Sequence, residues 1–385
     1  MRSSGPSGAR AGAGFRAAMV AAPALAAGLL WLVPAGATAA QTPPAPGAAG
    51  ELEVLHVKGA VYAIFGAGGN VVVSVGRDGV FMVDTGQAQD ADRVLAAVER
   101  IQRHVQSLQA PPSPSWGAET RGTLQASLSP FGPSKPIRYI VNTHAHPDHV
   151  GGNERLRKAG RTFTGGNVAN DIADAGADAM VLAHENVTTR LMTPPGGQPA
   201  AAEATLPSDT YYGEALKFSH FFNGEGVQLF HPATAHTDGD SFVYFRGSDV
   251  IVSGDLFVTT TYPFIDAGRG GHINGVIAAA NQMLDIATPE FRLEGGTMIV
   301  PGHGRITDAA DLAYYRDMLT IIRDRIQDMV GRGMSLQQVQ AARPTKDYDP
   351  RWGATSGFWT TDQFVEAVYT NLAPANRGGR RGAGR

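Results

Sequence analysis

The run Thr143-His144-Ala145-His146-Pro147-Asp148-His149-Val150-Gly151-Gly152 restricts the possible folds of this chain more than any other feature. Four metal-capable side chains, His144, His146, Asp148 and His149, fall close together directly after the apolar stretch 137–141. The β-branched and aromatic content of that stretch predicts a strand. Side chains two apart on a strand share a face, so His144 and His146 can reach one metal ion. The chain must turn at Pro147, and Asp148 and His149 beyond it can point at a second site nearby. Gly151 and Gly152 predict a tight turn into a following helix. A surface stretch that merely happened to be rich in histidine would not need this order.

The flanking sequence predicts how such a site is carried. Residues 61–65, 71–75 and 80–83 are short β-prone runs separated by glycines, as in successive antiparallel strands. Residues 90–108 carry Val94, Leu95, Val98 and Ile101 at helical spacing. Residues 110–135, rich in Pro, Ser and Gly, read as a loop. The second half is similar in kind, with strands predicted at 227–230, 241–245, 250–252 and 298–300. Helices are predicted at 274–286, with Asn274 as N-cap, and at 308–330, 335–342 and 361–372. Two strand-rich halves, each followed by helices, predict an α/β protein with two sheets face to face and helices outside. No short-period repeat is visible, which excludes a solenoid.

Composition narrows the chemistry. The chain has 385 residues and no cysteine, so disulfides, thiolate nucleophiles and cysteine-ligated metals are excluded together. The net charge of −3 implies no basic face for nucleic acid. At the N-terminus, Arg2, Arg10 and Arg16 precede an apolar run at 17–33 and then small residues in an A-x-A arrangement. These are the features of a secretory signal peptide, expected at 1–39 and cleaved after Ala39 or Ala40. Residues 40–50 read as a linker, 51–375 as one folded domain, and the Gly/Arg-rich 376–385 as a disordered tail. No other stretch reaches the roughly 20 apolar residues a membrane span needs. The mature protein is therefore expected to be periplasmic or secreted, without stable membrane insertion.

The histidine run resembles the H-x-H-x-D-H signature of the metallo-β-lactamase superfamily, and four further segments extend the resemblance in order. Val83-Asp84-Thr85-Gly86 resembles the early V-D-T-G turn. Ala235-His236-Thr237-Asp238-Gly239-Asp240 resembles the G-H-T-x-G-D motif, with Ala235 in place of its first glycine. Ser253-Gly254-Asp255-Leu256-Phe257 resembles the segment of a bridging aspartate, and Val300-Pro301-Gly302-His303-Gly304 the final P-G-H-G. The resemblance covers residues 54–372 and implies a four-layer αββα sandwich. It implies that His144, His146 and His236 hold one metal ion, that Asp148, His149 and His303 hold another, and that Asp255 bridges them. Asp84 would support the site by hydrogen bonding to a ligand. Imidazole and carboxylate ligands suit two Zn²⁺ ions well, and Fe or Mn acceptably.

The implied activity is hydrolysis of a small-molecule substrate at a carbonyl by a metal-bridging hydroxide, with Asp148 orienting the water or moving a proton. A bridging aspartate is shared with glyoxalase II and N-acyl-homoserine lactonases, so the bond is expected to be a lactone, ester or β-lactam. Two alternatives come with the same ligand set: a mononuclear iron sulfur dioxygenase-like enzyme, and a non-catalytic binding protein on this fold. Substrate selectivity is expected in the loops 191–195 and 258–272. Tyr262 and His272 are the pocket candidates there, with Phe264 beside them as a further wall residue. The remaining histidines, His56, His104, His184, His220 and His231, read as structural or exposed, with His184 packing at a strand end.

Overall fold

The computed structural model describes residues 51–108, 136–162, 177–218, 220–287 and 296–373. The expected signal peptide, linker, 110–135 loop and C-terminal tail lie outside the described residues. In the first half, alternation along the strands sets the layering. Val71, Val73, Val80 and Met82 join one buried cluster, while Val72, Phe81 and Val83 join another on the opposite face. The elements in order are β1 (Glu53–Lys58), β2 (Val61–Phe65), β3 (Val71–Gly76), β4 (Gly79–Val83), α1 (Ala91–Ser107), β5 (Ile137–Val141), α2 (Pro147–Val150), α3 (Asn153–Lys158), β6 (Met180–His184), α4 (Glu185–Met192) and β7 (Asp209–Tyr211). They form a seven-stranded sheet in sequential order. β1 to β4 pair antiparallel, and β4 to β7 pair parallel.

The second half supplies β8 (Ala215–Lys217), β9 (Val227–Phe230), β10 (Phe242–Phe245), β11 (Val250–Val258), α5 (Ile273–Ala287), β12 (Met298–His303), β13 (Thr307–Asp308), α6 (Ala309–Gly331), α7 (Leu336–Ala342), α8 (Asp349–Trp352) and α9 (Thr361–Leu372). Its six strands run in the order β13-β12-β11-β10-β9-β8, with β11 and β12 parallel. The two sheets bury one shared cluster, in which Phe81 meets Phe218, Phe222 and Phe245 edge-on at 5.1–5.7 Å. Edge-to-face contacts suit the ring quadrupoles and fill this layer. The outer face of the first sheet packs on α1 and α3. That of the second packs on α5, α6, α7 and α9. The result is the four-layer αββα sandwich.

Three local expectations change. Asn274 does not cap α5. The helix begins at Ile273, and the Asn274 backbone N–H donates to His272 Nδ1 at 3.1 Å. β11 runs on to Val258, well past the expected 250–252, because β12 pairs along it beyond an irregularity at Gly254. Gly151 and Gly152 have ordinary helical φ of −60° and −81°. What they supply is room, since a Cβ on either would sit 2.5 Å from a backbone oxygen, that of Pro147 or Thr85. Other starts agree with their caps. Asp308 accepts from the Ala310 and Asp311 N–H groups at the head of α6, and Ser335 closes a capping box with Gln338 at α7. Among the described residues no helix is long and apolar enough to cross a membrane.

Candidate metal centre

The site sits where parallel strands end together. β4 delivers Asp84, β5 delivers Thr143 to His146, and β12 delivers His303, while Asp255 projects from within β11. Ligands gather at the carboxyl ends of parallel strands because the loops leaving them diverge there. α2 turns the chain at once after Pro147, which brings Asp148 and His149 back beside the strand-end histidines.

Two groups of ligand atoms result, each with all members within 4.8 Å of one another: His144, His146, His236 and Asp255 in one, and Asp148, His149 and His303 in the other. In the first, His146 Nδ1 lies 3.1 Å from His144 Nε2 and 3.0 Å from His236 Nε2. In the second, His303 Nε2 lies 3.2 Å from Asp148 Oδ2 and 3.4 Å from His149 Nε2. Asp255 stands between them. Its Oδ2 is 3.8 Å from His144 and 3.7 Å from His236, while its Oδ1 is 3.3 Å from His149 and 3.6 Å from His303.

The outward-facing ring nitrogens show that these groups suit cations. His144 Nδ1 reaches Thr143 Oγ1 at 3.0 Å, and that hydroxyl donates onward to Asp84. His146 Nε2 meets Asp266 Oδ2 at 3.0 Å, and His236 Nδ1 meets the Phe264 carbonyl at 2.5 Å. Each outer nitrogen faces an acceptor and so carries the proton, which leaves the inner lone pair of His146 about 3 Å from those of His144 and His236. Lone pairs so placed repel unless a positive ion lies among them. Burial, followed by the neighbouring imidazoles, holds His144 well below the usual histidine range, and burial first brings His236 down to about 4. The second group is built differently. Burial would lower His149, but Asp255 and Asp84 on its two sides overcome this and raise it well above its ordinary value. That pull toward positive charge, and the buried Asp255 Oδ1 without a hydrogen-bond partner, again fit a cation.

Asp84 is the anchor of the arrangement. Its Oδ1 accepts from Thr143 N–H, and its Oδ2 accepts from Thr143 Oγ1 and from His149 Nδ1, all at 2.7 Å. It holds φ at +59°, a left-handed conformation that aspartate tolerates better than most residues. Gly302 is required by proximity, because a Cβ there would lie 2.0 Å from Asp255 Oδ1. Asp240 closes the turn carrying His236 by accepting from Thr237 N–H and Oγ1 at 2.8 and 2.6 Å.

The structure brings all seven expected ligands together and places one pocket candidate, Tyr262, in the core. Tyr262 is 1% exposed, stacks on Phe364 at 4.6 Å, and has its hydroxyl 3.0 Å from Asp349 Oδ1 and 3.2 Å from the Thr345 carbonyl. A ring sealed in this way is core and lines no pocket. His272 is half-buried just before α5, where its Nδ1 accepts from the Asn274 N–H. Phe264, two residues on from Tyr262, is the half-buried aromatic at the site, 5.6 Å from the His146 ring and 5.7 Å from that of His236. His184 ends β6 as expected and stacks on His231 at 3.5 Å, apart from both ligand groups. Sequence reasoning missed Asp266, which holds His146 and is itself paired with Arg269 at 2.7 Å. It also missed Asn70, whose amide donates to the carbonyls of Pro301 and Gly304 and braces the His303 turn. Neither lies in a recognisable motif.

Comparison with known proteins follows the geometry. The model of the metallo-beta-lactamase superfamily matches residues 65–303. No curated protein matches the chain. Among solved structures, the DIM-1 metallo-beta-lactamase is 17% identical with a TM-score of 0.44, over 70% of this chain and 98% of its own. A metallo-beta-lactamase from Pontibacter korlensis is 15% identical with a TM-score of 0.45, over 70% and 99%. A double mutant of the sec-alkyl sulfatase PisA1 is 15% identical with a TM-score of 0.55, over 84% of this chain and 52% of that one. The sulfatase likeness speaks for the fold alone. The family model, however, spans more than half of the chain and takes in all seven ligands, so this chain belongs to the metallo-beta-lactamase superfamily.

Proposed function

We propose that the protein is an exported, dinuclear metal-dependent hydrolase acting on the carbonyl of a small lactone, ester or β-lactam. The observation that carries this reading is Asp255, one carboxylate turned toward two separate ligand groups. His144, His146, His236 and Asp255 would hold one ion, and Asp148, His149, His303 and Asp255 the other. Two zinc ions so held would supply a water acidic enough to ionise near neutral pH and a Lewis acid for the carbonyl oxygen. The protein's own groups supply position. Burial would raise the Asp148 carboxyl, but the hydrogen bond from His303 and the charges of His149 and His303 bring it down to about 2. Placed at the edge of the second group, the Asp148 carboxylate would accept a hydrogen bond from a water there and orient it. Asp84 and Asp266 fix the ring orientations, and Phe264 keeps one side of the centre dry. Export rests on the charged start, apolar run and small residues of the first forty residues.

The test is elemental analysis of the purified protein beside a hydrolysis panel of lactones, esters and β-lactams, with a secondary alkyl sulfate added. Both are repeated with Asp255→Ala. About two zincs per chain, with carbonyl hydrolysis lost in the variant, is the expected result. One iron per chain, with oxygen consumption and no hydrolysis, would refute the proposal. Cleavage of the sulfate alone would keep the metals and overturn the carbonyl assignment.

A further inference from the structure

We infer that Phe264, Phe358 and Trp359 form an apolar selectivity wall beside the first ligand group, making the site one for substrates with an alkyl or aryl group next to the scissile bond. This deepens the hydrolase reading above and rests on it. Phe264 is tied to the centre through its own carbonyl, which accepts from His236 Nδ1, and its ring lies 5.6 Å from that of His146. Two aromatics from the segment between α8 and α9 extend it outward. The Trp359 ring lies 4.7 Å from that of Phe264, and its Nε1 donates to the Pro263 carbonyl at 3.1 Å. The Phe358 ring lies 5.1 Å from Phe264 and is 80% exposed. The segment is fastened at its base, where Ala354 and Thr361 exchange two hydrogen bonds.

A large ring held in water beside a reaction centre is a cost unless something apolar covers it. Charge on this side points the same way. Arg269 is paired with Asp266, and Arg190 with Asp238, so the charge of each is already met by a carboxylate. The family match ends at residue 303, so Phe358 and Trp359 reach the site from sequence outside it. Phe358 is the specificity-determining residue of the wall, and the occupant is the substrate's own apolar group.

The experiment is calorimetric binding of straight-chain carboxylates, acetate to octanoate, to the zinc-loaded full chain, with Phe358→Ser and Phe358→Leu in parallel. A fully buried methylene is worth roughly a fourfold change in affinity, and one open-sided wall about twofold. We expect Kd to fall about twofold per methylene in the wild type, to become nearly flat in Phe358→Ser, and to keep its slope in Phe358→Leu. Phe358 is exposed, so neither variant threatens folding. A wild-type Kd independent of tail length, or a slope unchanged in Phe358→Ser, overturns the wall. Hydrolysis of matched short- and long-tailed esters separates the two readings. A binding slope without any hydrolysis removes the hydrolase and keeps the wall. Hydrolysis without a slope removes the wall and keeps the hydrolase.

Discussion

Replacing Asp84 with asparagine is expected to weaken the second ligand group selectively while the fold survives. The substitution keeps the size of the side chain, and asparagine also accepts the left-handed backbone at φ +59°. One oxygen remains to accept from Thr143 N–H. The other position now carries an NH₂ group that faces two donors, Thr143 Oγ1 and His149 Nδ1, both formerly at 2.7 Å. Flipping the amide only moves the clash to Thr143 N–H. His149 can relieve it by shifting its proton from Nδ1 to Nε2. That nitrogen lies 3.3 Å from Asp255 Oδ1 and 3.4 Å from His303 Nε2, so the proton takes the lone pair a metal needs. Loss of such a supporting hydrogen bond typically costs about 10–100-fold in metal affinity, or roughly 1.4–2.7 kcal/mol. The assay is zinc titration against a chromophoric chelator, with thermal unfolding as the control for folding. One weakened and one nearly unchanged zinc is the expected outcome. Two zincs at wild-type affinity would show that Asp84 does not set the His149 tautomer.

Three further outcomes follow from the same geometry. Gly302→Ala should lose metal while circular dichroism stays native, because a Cβ 2.0 Å from Asp255 Oδ1 displaces that carboxylate; full metal content in the variant would refute the close approach. Phe81→Ala, at a fully buried ring between the sheets, should lower unfolding stability by about 3–5 kcal/mol in denaturant, and a loss under about 1 kcal/mol would mean that the cluster refills the space. Acidification should release zinc from the second group first. There His149 and His303, though lowered by burial, are raised overall by Asp255 and its carboxylate neighbours, whereas burial holds His144 and His236 low. A raised pKa means that the proton competes for the lone pair at higher pH. Dialysis across a pH series should show two steps in the wild type and only the later one in His303→Ala, and a single step in the wild type would oppose this order.

What the sequence alone determined is local in the chain. The run from His144 to His149, the alternation in 71–75 and 80–83, the helical spacing of Val94, Val98 and Ile101, and the Asp84 and His303 turns all signal within a few residues. There, steric periodicity and turn chemistry act directly on neighbours. These features, with the resemblance of the segments around His236 and Asp255, were enough to name the layers and the seven residues that come together at the site. Tertiary structure decided everything that depends on a partner distant in sequence. Tyr262 and Phe264 look alike in the same short loop, yet Phe364 and Asp349 draw one into the core while His146 and His236 stand beside the other. Asp266 supports a histidine 120 positions away, and Phe358 and Trp359 join Phe264 from beyond the last ligand. Such contacts leave no periodic trace, because an aspartate or an aromatic ring carries no mark of the surface it will meet. Their roles arise only when the two sheets close and bring the ends of β5 and β12 beside Asp255 of β11.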